Sequence, residues 1–162
     1  MRKQAIITAV AAMLLVGPAT ASAQVHFGGQ LSFGSDQDLG LGARLLANVT
    51  SLERWDFIGT FDWFFPGDPV GQDRTYWEVN GNLAYNFEIQ SAPSISPYVG
   101  GGLNIAHLSK EFEDGRDSSD TDLGINLLAG TQFGTKAVTP FVELRVELAG
   151  GEQFVITGGL LF

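Results

Sequence analysis

The chain has 162 residues, among them 21 glycines, 12 phenylalanines and no cysteine, and a formal net charge of −9. That length suits one domain. The acidity excludes nucleic acid as a partner, since phosphates demand a basic surface, and the lack of cysteine excludes a disulfide framework.

At the start, Arg2 and Lys3 precede an apolar run from Ala5 to Val16, which Gly17 and Pro18 end before Ala21-Ser22-Ala23. A charged start, a short apolar run and small residues at a cleavage position read as a secretory signal peptide over 1–23, cut before Gln24. The run falls short of the roughly 20 residues that a membrane-spanning helix needs. No cysteine follows Ala23, so a lipoprotein anchor is excluded. The rest, 24–162, is one domain in which every second residue of successive runs is apolar, the signature of strands with two unlike faces.

The first strand is expected over 25–34, with Val25, Phe27, Leu31 and Phe33 on one face, and the second over 39–49, with Leu39, Leu41, Ala43, Leu45 and Val49 facing away from Arg44. Ser35-Asp36-Gln37-Asp38 supplies the turn between them. The third, over 55–65, sets Trp55, Phe57, Phe61 and Trp63 against Asp56, Thr60 and Asp62; the fourth, over 76–88, sets Trp77, Val79, Leu83, Tyr85 and Phe87 against Glu78, Asn80 and Asn82. The fifth, over 97–107, opens on Pro97, where a missing donor is tolerated, and the sixth runs from Asp122 to Phe133. The seventh, over 140–148, alternates Phe141, Glu143, Arg145 and Glu147 with apolar residues, and the last places Phe154, Ile156, Gly158, Leu160 and Phe162 on one face.

Eight strands make the smallest usual membrane barrel, and lipid permits only a closed one. A soluble barrel would hide the aromatic face and a membrane barrel displays it. Loop lengths favour display: with Val25 placed inside, the two longest connections, 66–75 and 108–121, both fall on the outside, as outer-membrane barrels require. Aromatic positions agree. Phe27, Trp55, Tyr85, Phe87, Phe133 and Phe162 cluster towards one end of the outward face and Phe33, Trp63, Phe65, Trp77 and Phe154 towards the other, as interface girdles do.

The inward set then contains Arg44, Asp56, Asp62, Glu78, Asp122, Glu143, Arg145 and Glu147. An eight-stranded lumen holds little more than side chains, so these charges are expected to form an ion-pair plug around Arg44 and Arg145. Inward Leu46, Ile58, Phe64, Tyr98, Leu128, Phe141 and Leu161 support a filled lumen; a narrow cation-preferring pore lined by the surplus carboxylates is the alternative. The segment 110–120 reads as an acidic, solvated and mobile loop without the spacing of a calcium loop. No metal-ligand cluster or cofactor motif is found.

Pro97-Tyr98-Val99-Gly100-Gly101-Gly102-Leu103, Thr139-Pro140-Phe141-Val142-Glu143-Leu144-Arg145 and the closing Leu160-Leu161-Phe162 resemble the small outer-membrane β-barrel superfamily, which includes the OmpA transmembrane domain, OmpX and the opacity-type surface proteins. The resemblance covers the whole chain after the signal peptide. It implies a closed, antiparallel, up-and-down transmembrane β-barrel, all-β and monomeric, in the outer membrane of a Gram-negative-type bacterium. Outer-membrane lipid and lipopolysaccharide would be its surroundings, and its role structural or surface-interacting, towards a ligand the residues do not name. Leu160 and Phe162 are similar to the signal read by the outer-membrane assembly machinery, although Thr157 stands where that signal carries glycine. His107-Leu108-Ser109 is similar to the His-x-Ser of outer-membrane lipid A deacylases, which makes a hydrolase the further alternative. That family's acidic orienter is missing: Thr121 holds the outward position between Asp120 and Asp122. Deleting Phe162 is expected to lower the amount of heat-modifiable, membrane-inserted protein; unchanged insertion would exclude the assembly-signal reading.

Overall fold

The computed structural model describes residues 24–67, 72–112, 116–135, 137–148 and 152–162. The expected signal peptide lies outside them. Eight strands form: β1 (Val25–Gly34), β2 (Asp38–Asn48), β3 (Trp55–Phe65), β4 (Gln72–Asn86), β5 (Ile95–Phe112), β6 (Asp117–Phe133), β7 (Thr139–Leu148) and β8 (Gln153–Leu161). Each pairs antiparallel with the next and β8 returns to β1, closing the barrel in simple up-and-down order. The seam runs from Gly28↔Leu161 to Gly34↔Val155, and Phe27 and Phe162 extend it by exchanging backbone hydrogen bonds of 2.8 and 3.3 Å. The eight-stranded barrel expected from the alternation is therefore the observed fold.

The two faces divide as the alternation requires. Leu31, Leu41, Leu103, Ile125, Leu127 and Ile156 are exposed on the outer wall, while Gln30, Asp62, Asn80, Asn104 and Glu143 are buried within. Aromatic groups ring both ends of the outer wall. At the end where β1 begins and β8 stops, Trp55 packs on Tyr85 at 5.4 Å and Tyr85 on Phe87 at 5.2 Å; towards the other end Phe61 meets Trp77 at 6.3 Å.

Strand β2 opens with Asp38 in the left-handed region at φ 57°, a conformation that short polar side chains reach most readily, and its carboxylate accepts the Gly67 N–H at 3.2 Å. Inside the barrel, large rings face glycines directly across the ladder. Tyr98 pairs with Gly130, Phe141 with Gly159 and Phe64 with Gly40. A Cβ on Gly130 would meet the Tyr98 ring at 2.5 Å, and one on Gly159 the Phe141 ring at 2.7 Å. In a lumen this narrow, a six-membered ring needs a bare backbone opposite it.

The strands depart from expectation in where they begin and stop. β4 begins at Gln72 and stops at Asn86, which leaves Phe87 and Glu88 in the following connection. β5 and β6, at 18 and 17 residues, run through most of the segment expected to be a mobile loop; Glu113, Asp114 and Gly115 lie outside the described residues. The alternation of polarity that marks a strand fades there because both faces meet water, so His107, Ser109 and Glu111 differ little from Lys110. Replacing Gly130 with valine should drive Tyr98 out of its place and cost about 1–3 kcal/mol; denaturant titration of the purified barrel, followed by the heat-modifiable band, measures it.

Candidate functional site

Three layers fill the lumen. Near the end where β1 begins and β8 stops, Leu46, Ile58, Ala84, Tyr98, Leu128, Phe141 and Leu161 form a buried apolar cluster. Towards the opposite end Phe64, Tyr76, Ala106 and Val155 form a second, against which Leu108 packs. Most of the charged and amide side chains lie between, where they meet one another and the hydroxyls of Tyr98 and Tyr76.

Arg44, brought in by β2, donates to Glu143 of β7 at 2.6 Å and to the Tyr98 hydroxyl at 3.1 Å, and that hydroxyl donates to Glu143 at 2.8 Å. The guanidinium also lies 4.2 Å from the centre of the Phe141 ring, whose π-face welcomes a desolvated cation. Arg145, two residues after Glu143 and so on the same face, forms the second centre. It donates to Glu78 at 2.9 Å and to Glu147 at 2.8 Å, with Asp62 at 3.8 Å. Arg145, Asp62 and Glu78 are entirely buried. Gln153 donates to Glu147 at 2.9 Å and to Glu78, and Tyr76 donates to Glu78 at 2.8 Å. Gln30 ties the two centres together by accepting from Arg44 at 3.4 Å and donating to Asp62 at 2.8 Å. Asparagines complete the layer: Asn126 donates to Asn80 at 2.8 Å and to Asn82 at 3.1 Å.

The structure thus brings six of the expected lumen residues, Arg44, Asp62, Glu78, Glu143, Arg145 and Glu147, into two linked centres. Two others lie elsewhere. Asp56 is buried and faces inward, but it accepts from the amides of Asn48 at 2.6 Å and Asn86 at 2.8 Å; it is the second residue of β3, away from both Arg44 and Arg145. Asp122 is exposed, because β6 has already risen to the mouth there. The sequence reading missed the roles of Gln30, Tyr76 and Gln153. Each has inward parity, which is the signal that could have found them.

Outside the lumen, His107 stacks on Trp77 at 5.1 Å with 27° between the rings, and its Nδ1 lies 2.8 Å from the Thr121 hydroxyl. Trp77 and Thr121 are its cross-strand neighbours in the ladder. Ser109 follows two residues on, opposite Thr75 and Ser119 in the ladder. The imidazole thus engages Thr121 and Trp77, and Thr121 occupies the place where an acid would orient it.

Beyond the apolar band β5 and β6 continue as a paired ribbon from His107↔Thr121 to Glu111↔Asp117, roughly 15 Å of strand, with the start of β4 alongside. Its mouth holds a pocket of about 240 Å³ lined by Gln37, Tyr76, Ala106, Leu108, Asp120, Thr121 and Asp122.

An apolar outer wall with aromatic ends, a closed ladder and a polar filled interior define a small β-barrel membrane protein of the outer-membrane type. Solved structures agree on the fold. The chain is similar to the neisserial surface protein NspA (17% identity, TM-score 0.61, 87% of this chain and 96% of that one) and to the N-terminal β-barrel domain of Pseudomonas aeruginosa OprF (14%, 0.65, 87% and 100%). It is likewise similar to Ail, the attachment invasion locus protein of Yersinia pestis (16%, 0.56, 86% and 94%). The structural neighbours are thus small eight-stranded outer-membrane barrels, the architecture that the sequence resembles. No protein-family model matches the sequence, and no curated protein does.

Arg145→Met should leave Asp62, Glu78 and Glu147 without their cation and destabilise the barrel by about 3–5 kcal/mol. Adding Glu78→Gln and Glu147→Gln should recover much of that loss, and denaturant midpoints of the two forms in one detergent make the comparison.

Proposed function

We propose that this protein is exported to the outer membrane of a Gram-negative-type bacterium and acts there as a monomeric anchor for a surface-interaction element, the β5–β6 ribbon. The observation that carries the reading is the contrast between a lumen closed by two apolar layers around an ion-paired polar one and a paired ribbon standing clear of the apolar band. A pore needs a continuous wet path, and the stacked layers leave the carboxylates that would line it engaged with Arg44 and Arg145. A lipid A hydrolase needs His107 to activate Ser109, and His107 instead engages Thr121 and Trp77. The barrel's immediate partners on this reading are membrane lipid and lipopolysaccharide, with the assembly machinery reading Leu160 and Phe162. That Ail is an attachment and invasion locus protein and NspA a surface protein supports a surface role for a barrel of this shape.

The test compares cells producing the whole protein with cells producing a form in which 109–119 is replaced by Asn-Gly. Both should hold a heat-modifiable barrel in the membrane and keep the envelope intact, and only the first should adhere to epithelial monolayers. Equal adhesion would overturn the assignment to the ribbon. In planar bilayers the purified protein should show no steady conductance; a conductance abolished by Glu143→Gln would establish the pore instead.

A further inference from the structure

The polar layer of the lumen carries unequal charge. Arg44, Asp62, Glu78, Glu143, Arg145 and Glu147 are each 2% exposed or less, and among them four carboxylates face two guanidiniums. Arg44 and Glu143 cancel at 2.6 Å, so the excess of two negative charges falls on the Arg145 centre. There Asp62, Glu78 and Glu147 share one cation. The remaining cations of β4 and β5, Arg74 and Lys110, face each other in the ladder beyond Tyr76 and Leu108, at the mouth. A charge shut away from water has to be neutralised where it lies.

The oxygens beside this centre point to what neutralises it. Asn126 stands opposite Glu147 in the ladder, and its amide donates to Asn80 and Asn82. Among the described residues its Oδ1 is buried without a hydrogen-bond partner, as are Asp62 Oδ2 and Gln153 Oε1. Asn104, entirely buried on β5, lacks a partner for both Oδ1 and Nδ2. Its ladder neighbour on β6 is Gly124, which has no side chain, and its neighbour on β4 is Asn80, which is turned to Thr60, Glu78 and Asn126.

A proton on one carboxylate would lower the charge and leave these carbonyl oxygens as they are. A metal ion that prefers oxygen ligands meets both needs at once. Arg145 Nη1 and the amide nitrogens of Asn82 and Asn104 are unpartnered donors in the same layer, and the water that a partly hydrated ion keeps would accept from them. The surroundings also set the charge of the ion. Among the described residues no three Asp, Glu or His side chains gather as a divalent metal requires. The Arg145 guanidinium, bonded to Glu78 and Glu147, repels a doubly charged ion more strongly than a singly charged one.

We infer that the lumen holds a resident alkali cation between its two apolar layers. The Glu147 carboxylate and the Asn104 and Asn126 carbonyl oxygens are its protein ligands, and Asp62 supplies the further negative charge. The ion belongs to the closed barrel and carries no current, since an apolar layer shuts it in on either side. The inference does not depend on the ribbon or on any surface role.

The full barrel is refolded in detergent with radioactive sodium or rubidium chloride, passed down a desalting column into N-methylglucamine chloride, and counted. Because the ion leaves only when the barrel opens, the folded protein should retain a stoichiometric amount of at least one of the two, and heat-unfolded protein none. Glu147→Gln removes a ligand and part of the excess charge, and Asn104→Leu removes the unpartnered carboxamide; each should lower the retained counts by about tenfold or more. The heat-modifiable band verifies that both variants fold. A second measurement needs no variant: at constant ionic strength the unfolding midpoint should rise with the logarithm of the alkali-ion concentration as N-methylglucamine is replaced. A midpoint indifferent to the cation would overturn the inference, and a rise on acidification alone would then assign the neutralising charge to a proton. Counts retained equally by the wild type and both variants would overturn the site.

Discussion

In hydrocarbon a backbone amide finds no partner except another stretch of backbone, and an unsatisfied one costs several kcal/mol. A strand placed in lipid must therefore be paired on both sides along all the length that lipid touches, which turns the pairing of β8 with β1 from one contact among eight into the condition for the others. The outward Leu, Ile, Val and aromatic side chains follow from the same requirement. So does the even strand number, since antiparallel neighbours can close a ring without a parallel joint only in pairs.

Closure at eight strands sets the bore, and the bore sets the inner face. Side chains there have neither lipid nor bulk water, so each polar group needs a protein partner within a few ångströms. Arg44 and Arg145 answer much of this demand by each serving more than one acceptor, Gln30 links Arg44 to Asp62, and Gln153 joins Glu78 and Glu147, which would otherwise repel. The apolar layers above and below deepen the effect by lowering the local dielectric. Only where the wall rises past the membrane does the constraint lapse. There β6 leaves β7 behind, and the backbone can afford a free side.

Much of this was legible in the residues. Parity alone placed Arg44, Asp62, Glu78, Glu143, Arg145 and Glu147 in one compartment, because a barrel strand with one lipid face has no other place for them. Parity is silent on height along the strand, which is why Asp56 and Asp122 share the inward side but not the partners. The outer reach of β5 and β6 was illegible for another reason: with water on both faces, strand and loop draw on the same residues. The match of Tyr98 to Gly130 and of Phe141 to Gly159 depends on register between strands, which no single run contains. The free side of β6 likewise exists only as a mismatch between its two ladders.

The seam between β1 and β8 also sets a timetable. It joins the first strand made to the last, so every other hairpin can form from near neighbours while this contact waits for the whole span between Gly28 and Leu161. Until β8 has been synthesised, each shorter intermediate carries two bare strand edges and an apolar wall, a combination that invites aggregation. The barrel therefore cannot complete itself as it emerges. Closure is one late step, and it is the step that removes the last two strand edges from water.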